Sequence, residues 1–350
     1  MTLLAFLTHM SFGAVLCVLS AALTWVLMKR VRIIDTPNDR SSHSVPTPRS
    51  GGIAIVVAFF AGLAGLWVLR ASAALEADYF QAFAASSLLI AAASIFDDLR
   101  GMGFKAKLIL QTVCAVAVMA LGVVVTSVHL PGVGAVELGW LGYPLTLIWI
   151  VGLTNAFNFM DGIDGIAGGT AVVAALFFAM VTFSLGSSFA YLVSIVIGWS
   201  ALGFLMWNWQ PAKIFMGDSG SQFLGFVFAV LAVVAGRFDA SQVPFLVMPL
   251  LFFHYIWDTG YTFWRRWRAG ERVTEAHRGH LYQLMNRLGA SHARVTTLYL
   301  FLGAFQGVAA LWMVQAPGHV RVLAFLPFAF FLAILTGVVT RRARRLGLIA

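Results

Sequence analysis

Apolar stretches long enough to cross a bilayer recur from one end of this 350-residue chain to the other, and they restrict the fold before any motif is read. In hydrocarbon every backbone N–H and C=O must find a partner within the protein, which leaves helices or a closed barrel. A barrel reads as short alternating segments, and none are visible here. With 60% hydrophobic and 11% charged residues, the chain carries more apolar surface than a soluble domain needs. The fold class expected is an all-α polytopic integral membrane protein, one domain over residues 1–350, with about eleven transmembrane helices.

The expected spans are residues 2–28, 51–69, 80–96, 108–128, 144–159, 170–185, 189–207, 222–235, 244–264, 295–314 and 322–340. The first reads as a span rather than a cleaved leader, because Lys29, Arg30 and Arg32 follow the apolar run instead of preceding it. Residues 129–143 alternate like a hairpin and are expected to form a small strand pair. Of 23 Lys and Arg, only Arg70, Arg237 and Arg321 fall in loops on one side of this alternation. The positive-inside rule then sets the N-terminus in the periplasm and the C-terminus in the cytoplasm. The same rule accounts for the net charge of +9 without a nucleic-acid partner. Cys17 and Cys114 lie inside spans and read as packing residues, not as a disulfide or metal pair.

Polar side chains collect at the cytoplasmic ends of the expected spans. Asp97 and Asp98 close the third; adjacent carboxylates repel, so a nearby cation or Mg²⁺ is the natural way to hold them. Lys105 and Lys107 follow, within reach of phosphate oxygens as point charges. The stretch N-A-F-N-F-M-D-G-I-D-G-I-A-G-G at 155–169 has oxygen ligands and glycines but no basic residue. Asn158, Asp161 and Asp164 are three apart and share a face if helical; oxygen-only donors suit Mg²⁺ or Mn²⁺ rather than zinc. In F-M-G-D-S-G at 215–220, Asp218 reads as a metal ligand, and Phe215 either stacks on a flat base or anchors at the interface. His277, Arg278 and His280 lie in the most basic loop, which suits a pyrophosphate better than zinc. Asp258, inside the ninth span, is expected to meet a cation, and His43 is ambiguous between loop structure and ligand contact.

Six strings together resemble the polyprenyl-phosphate N-acetylhexosamine-1-phosphate transferases of glycosyltransferase family 4. That superfamily includes the phospho-N-acetylmuramoyl-pentapeptide transferases. The strings are P-T-P-R-S-G-G at 46–52, D-D-L-R-G at 97–101, K-L-I-L-Q at 107–111, N-A-F-N-F-M-D-G-I-D-G at 155–165, A-K-I-F-M-G-D-S-G-S at 212–221 and E-A-H-R-G-H-L-Y-Q at 275–283. The resemblance implies that Asn158 and Asp218 hold Mg²⁺, and that Asp97 and Asp98 are the catalytic acidic pair at the reacting phosphates. It implies that Lys107 contacts phosphate, that Asn155, Asp161 and Asp164 surround the substrate, and that Phe215 lies against uracil. His277, Arg278 and His280 match a loop that closes over the sugar diphosphate. The pentapeptide enzymes carry an uninterrupted histidine run there, whereas this chain has H-R-G-H, which favours a simpler UDP-N-acetyl sugar.

The activity so implied is transfer of N-acetylhexosamine 1-phosphate from a UDP-N-acetyl sugar to undecaprenyl phosphate at the cytoplasmic face of a bacterial inner membrane. UMP is released, and the product starts O-antigen or another surface polysaccharide. The alternatives weighed are a pentapeptide transferase and, from another class, a transporter or lipid flippase. A transporter would place polar groups at the midplane between repeats, and this chain shows neither feature. A homodimer is the one protein partner entertained.

Overall fold

The computed structural model describes residues 3–31, 33–37, 45–69, 78–130, 133–238, 243–275 and 277–349. Eight of its helices are long and apolar enough to cross a membrane. They are α1 (Leu3–Arg30), α3 (Asp78–Arg100), α5 (Gly142–Met160), α6 (Ile166–Ser184), α7 (Ser188–Asn208), α8 (Asp218–Arg237), α12 (His292–Gln315) and α13 (Leu326–Arg345), the last entered through a 3₁₀ segment, Gly318–Phe325. The fold is thus a helical membrane protein, as expected, with eight such helices against the eleven spans expected from sequence.

The difference has local causes. The second and fourth spans exist as helices of 17 residues, α2 (Gly52–Val68) and α4 (Phe104–Ala120). α4 begins four residues earlier than expected and ends eight earlier, because the apolar run after Ala120 turns into strand β3. The ninth span is broken. Pro249, which lacks an N–H, lies in the short α9 (Val247–Leu251), and α10 (Phe253–Arg268) starts anew after Phe252. The basic loop at 265–294 holds a further short helix, α11 (Leu281–Arg287), that no apolar periodicity announced. The strand pair is present: β3 (Ser127–Leu130) and β4 (Gly134–Glu137) are antiparallel, with Ser127 opposite Glu137. A second, two-residue pair joins β1 (Ile34–Asp35) to β2 (Thr47–Pro48).

α8 is the axis of the molecule. Of its spanning window, 94% is buried, against 22% for α1, so its neighbours rather than lipid cover it. It packs on α3, α5 and α2, while α1, α2, α6 and α7 form an adjoining layer and α12 lies on α6. The two ends of α8 differ in chemistry. Its C-terminal Arg237 donates to the Val124 carbonyl beside the β3–β4 pair. Its N-terminal Asp218 meets the C-termini of α3 and α5 and the N-terminus of α4. Backbones touch there: a Cβ on Gly52 would stand 2.2 Å from the Gly220 nitrogen, so the starts of α2 and α8 require glycine. Residues Arg70, Glu76, Asp239 and His43, assigned to loops from sequence, lie outside the described residues.

Candidate active site

The site grows from the segment that leads into α8. Residues 48–52 and 215–216 lie side by side: Phe215 N donates to the Pro48 carbonyl at 2.8 Å, and Gly51 N and Gly52 N donate to Phe215 O and Met216 O at 3.0 and 2.8 Å. This short parallel pairing sets Arg49 opposite Phe215 and over the start of α8. Gly217 has φ +75°, and a Cβ on it would meet Asp98 Oδ2 at 2.8 Å. Its bare backbone lets Asp98 cap the helix. Asp98 Oδ1 accepts from Asp218 N at 3.0 Å and Oδ2 from Ser219 N at 2.8 Å. A carboxylate at this end also meets the positive pole of the helix dipole.

Two cations bridge the acids. Lys107 Nζ lies 2.5 Å from Asp218 Oδ2 and 2.8 Å from Asp97 Oδ2. Arg49 Nη2 lies 2.8 Å from Asp98 Oδ1 and 3.3 Å from Asp218 Oδ2. Asp218 Oδ1 faces α5, where Asn158 Nδ2 donates to it and to Ser221 Oγ, each at 2.8 Å. Asp97, Asp98, Lys107, Asn158 and Asp218, distant in sequence, therefore share one hydrogen-bonded cluster. Asp97 is 2% exposed, and both its oxygens are engaged: Met102 N donates to Oδ1 at 2.9 Å, and Gln222 Nε2 and Lys107 reach Oδ2.

The residues after α5 do not continue its face. The helix ends at Met160, and Asp161 has ψ 61°, so Asn158, Asp161 and Asp164 are not on one helical stripe. The cause is the run of glycines at 162 and 165, the latter at φ +76°. Burial, with the nearby Asp218 and Asp98 charges, pushes the Asp161 carboxyl up to about 7, against relief from Arg49. Asp164 is drawn into the scaffold. Its Oδ1 lies 3.1 Å from His292 Nδ1, its Oδ2 accepts from Ala212 N at 3.1 Å, and its carbonyl accepts from Thr296. Asn155 points to α4, donating to Gln111 Oε1 at 2.6 Å. Phe215 is half-buried beside Arg49.

The histidine loop abuts the same end of α5. Tyr282 Oη donates to Phe159 O at 2.9 Å, and the His280 ring stacks on Phe159 at 5.9 Å between centroids. His277 lies 4.9 Å from the His280 ring. Burial, with His280 and the positive charges of Arg266 and Arg265, drops His277 to about 3, so it is neutral at physiological pH. Arg278 lies between them in the chain, and its carbonyl accepts from Arg287. The loop is held from below by Asp258. Asp258, expected to meet a cation, chiefly caps α11: Oδ1 accepts from Leu281 N at 2.8 Å, and Oδ2 accepts from Tyr282 N at 3.1 Å and Tyr299 Oη at 2.7 Å. Among the described residues the basic side chain beside it is His280, whose Nδ1 lies 3.3 Å from Oδ1.

Among the described residues no three His, Cys, Asp or Glu side chains converge as a metal site. A metal here would rest on mixed oxygen donors. Asp218 Oδ1, the Asn158 amide and Ser221 Oγ make such a corner, which fits a hard cation once the amide turns its oxygen inward. Arg49, Gln111, Gln222 and Ser221 are site residues to which the sequence reading gave no role. The signal was available: Gln111 and Gln222 are polar interruptions of apolar helices, each four residues beyond Lys107 or Asp218.

A helical membrane bundle with carboxylates, amides and cations gathered where four helix ends meet is the class that fold and site define. The profile of glycosyl transferase family 4 matches residues 80–236. The chain is 32% identical to a probable undecaprenyl-phosphate N-acetylglucosaminyl 1-phosphate transferase of Bacillus subtilis, over 80% of this chain and 77% of that one. It is 31% identical to the decaprenyl-phosphate N-acetylglucosaminephosphotransferase of Mycobacterium leprae, over 83% and 79%. A shorter match, 38% identical over 38% of this chain and 44% of the other, is to the phospho-N-acetylmuramoyl-pentapeptide-transferase of Chlamydia muridarum. The chain belongs to glycosyl transferase family 4, as its motifs imply.

Proposed function

We propose that this chain transfers N-acetylhexosamine 1-phosphate from a UDP-N-acetyl sugar to undecaprenyl phosphate or another polyprenyl phosphate, releasing UMP. The observation that carries this reading is Lys107 shared between Asp97 and Asp218, with Arg49 and Asn158 on the same carboxylate. Phosphoryl transfer asks mainly for positioning and charge stabilisation. Lys107 and Arg49 supply donors already fixed in place by carboxylates, so little reorganisation accompanies the arrival of phosphate oxygens.

The lipid phosphate attacks the phosphorus that bears the sugar, and the bond to UMP breaks. A phosphate monoester has its second pKa near 6, so the acceptor arrives largely ionised and needs no strong base. Asp97 and Asp98 fit a supporting role in this chemistry, since each already accepts three hydrogen bonds or ion-pair contacts. They hold Lys107, Arg49 and the start of α8 in place. Asp218 and Asn158 would hold Mg²⁺ or Mn²⁺, which when bound neutralises the diphosphate and the departing UMP. His277, being neutral, would meet a sugar diphosphate as a hydrogen-bonding group, with Arg278 and His280 beside it and Phe215 against the base.

The positive-inside bias supports a cytoplasmic position for this end of the bundle, where a soluble nucleotide sugar meets a bilayer-held acceptor. The product would be a lipid-linked sugar that starts a surface polysaccharide. Membranes containing the chain, incubated with a panel of radiolabelled UDP-N-acetyl sugars, should convert at least one into a chloroform-soluble product in a manner abolished by chelator. Uptake of label into vesicles without a lipid product would overturn the reading.

A further inference from the structure

Gln111 and Gln222 are 2% and 3% exposed, one turn inside the charged end of the bundle, yet each is polar. Gln111 stands four residues beyond Lys107 on α4, and Gln222 four beyond Asp218 on α8, so each lies on the same face one turn deeper. The pairs repeat each other. Lys107 meets Asp218 at 2.5 Å, and one turn below, Gln111 Nε2 donates to Gln222 Oε1 at 2.9 Å. α5 reaches both levels: Asn158 donates to Asp218, and Asn155, three residues earlier, donates to Gln111 Oε1. Asp97 ties the levels together, taking Lys107 at 2.8 Å and Gln222 Nε2 at 3.0 Å on one oxygen.

The direction of every amide is forced. An ionised carboxylate only accepts, so Gln222 must turn its nitrogen to Asp97 and its oxygen to Gln111. Gln111 then presents its oxygen to Asn155, whose Nδ2 also donates to the Val151 carbonyl at 2.8 Å. A carboxylate fixes one end and a backbone carbonyl the other. An apolar pair of the same shape would leave Asp97 its Lys107 and Met102 partners and Asn155 its Val151 carbonyl, so it removes the bonds between helices at modest cost in stability. We infer that Gln111 and Gln222 are positioning residues for the transfer: their paired amides hold α4, α5 and α8 in register, and with them Lys107, Asn158 and Asp218. This rests on the transferase reading given above.

The test uses the full chain in proteoliposomes with polyprenyl phosphate and the accepted UDP-sugar. The double variant Gln111→Met/Gln222→Met should keep a thermal midpoint close to wild type and KM for both substrates. Its kcat should fall by about tenfold to a hundredfold, the usual cost of loosening a supporting shell. Gln222→Glu sets a second acceptor and a like charge against Asp97 in place of the amide donor, which loosens the same contact. Its kcat should fall at least as far as that of the double variant, again with KM for both substrates unchanged. Full kcat in the double variant would overturn the inference, as would a loss of activity that merely follows a collapse in thermal midpoint. If wild-type protein transfers no sugar phosphate at all, the proposed function fails and this inference with it. If wild type is active and both variants match it, only the positioning role fails.

Discussion

Asp161 lies one residue beyond the last turn of α5, and its carboxyl titrates near 7 instead of 3.8. Its folded pKa is raised, so between about pH 4 and 7 the unfolded chain binds fewer protons than the native one. Stability from this group falls as pH rises through that window. A divalent cation settling beside Asp218 should expel the proton. Titrating Mg²⁺ into metal-free protein at pH 7, in two buffers of different ionisation enthalpy, should show proton release that Asp161→Asn abolishes. Equal heats in the two buffers would contradict this. Single residues were legible in the sequence where a polar side chain bounds an apolar run: Asp97, Asp98, Lys107, Asn158 and Asp218 all enter the cluster. Arg49 was hidden because the positive-inside rule already explains any cation in such a loop. Asp164 was visible as polar, but its capture by His292 and Ala212 depends on contacts 48 and 128 residues away that no local pattern encodes.

At the scale of elements, Asp258 shows how a buried charge becomes a structural part. It is 0% exposed and accepts two backbone N–H groups at the start of α11 and the hydroxyls of Tyr299 and Thr262, with the His280 ring beside it. Asp258→Ala strands those donors, at a cost of about 3 kcal/mol or more. The variant should unfold at a lower temperature in detergent and bind UDP-sugar more weakly, because the histidine loop loses its anchor. Unchanged thermal unfolding would show that the cap contributes little. The long helices were readable from apolar length, whereas α11 in the basic loop and the split of α9 from α10 were not. Helix ends were not: α8 begins at Asp218 because Asp98 caps it from another helix. α4 stops early because β3 and β4 pair, and the span at 244–264 breaks near Pro249.

For the whole molecule, the candidate site lies at one end of a bundle whose axis is α8, and the β3–β4 pair lies at the other end. The proposed orientation is checked by chemical access. A cysteine in place of exposed Lys213 should react with an impermeant thiol reagent only in inverted vesicles, and one at exposed Val133 only in intact spheroplasts. The reverse pattern would put the cluster on the wrong side for a cytosolic nucleotide. The central claim is that the charged cluster at the meeting of α3, α4, α5 and α8 carries out sugar-phosphate transfer. Its most direct test is to measure UMP and lipid-linked sugar together, in proteoliposomes supplied with polyprenyl phosphate and a UDP-N-acetyl sugar. Wild-type protein should form the two in equal amounts, and a folded Asp218→Asn variant should form neither. Undiminished formation of both by that variant would contradict the account.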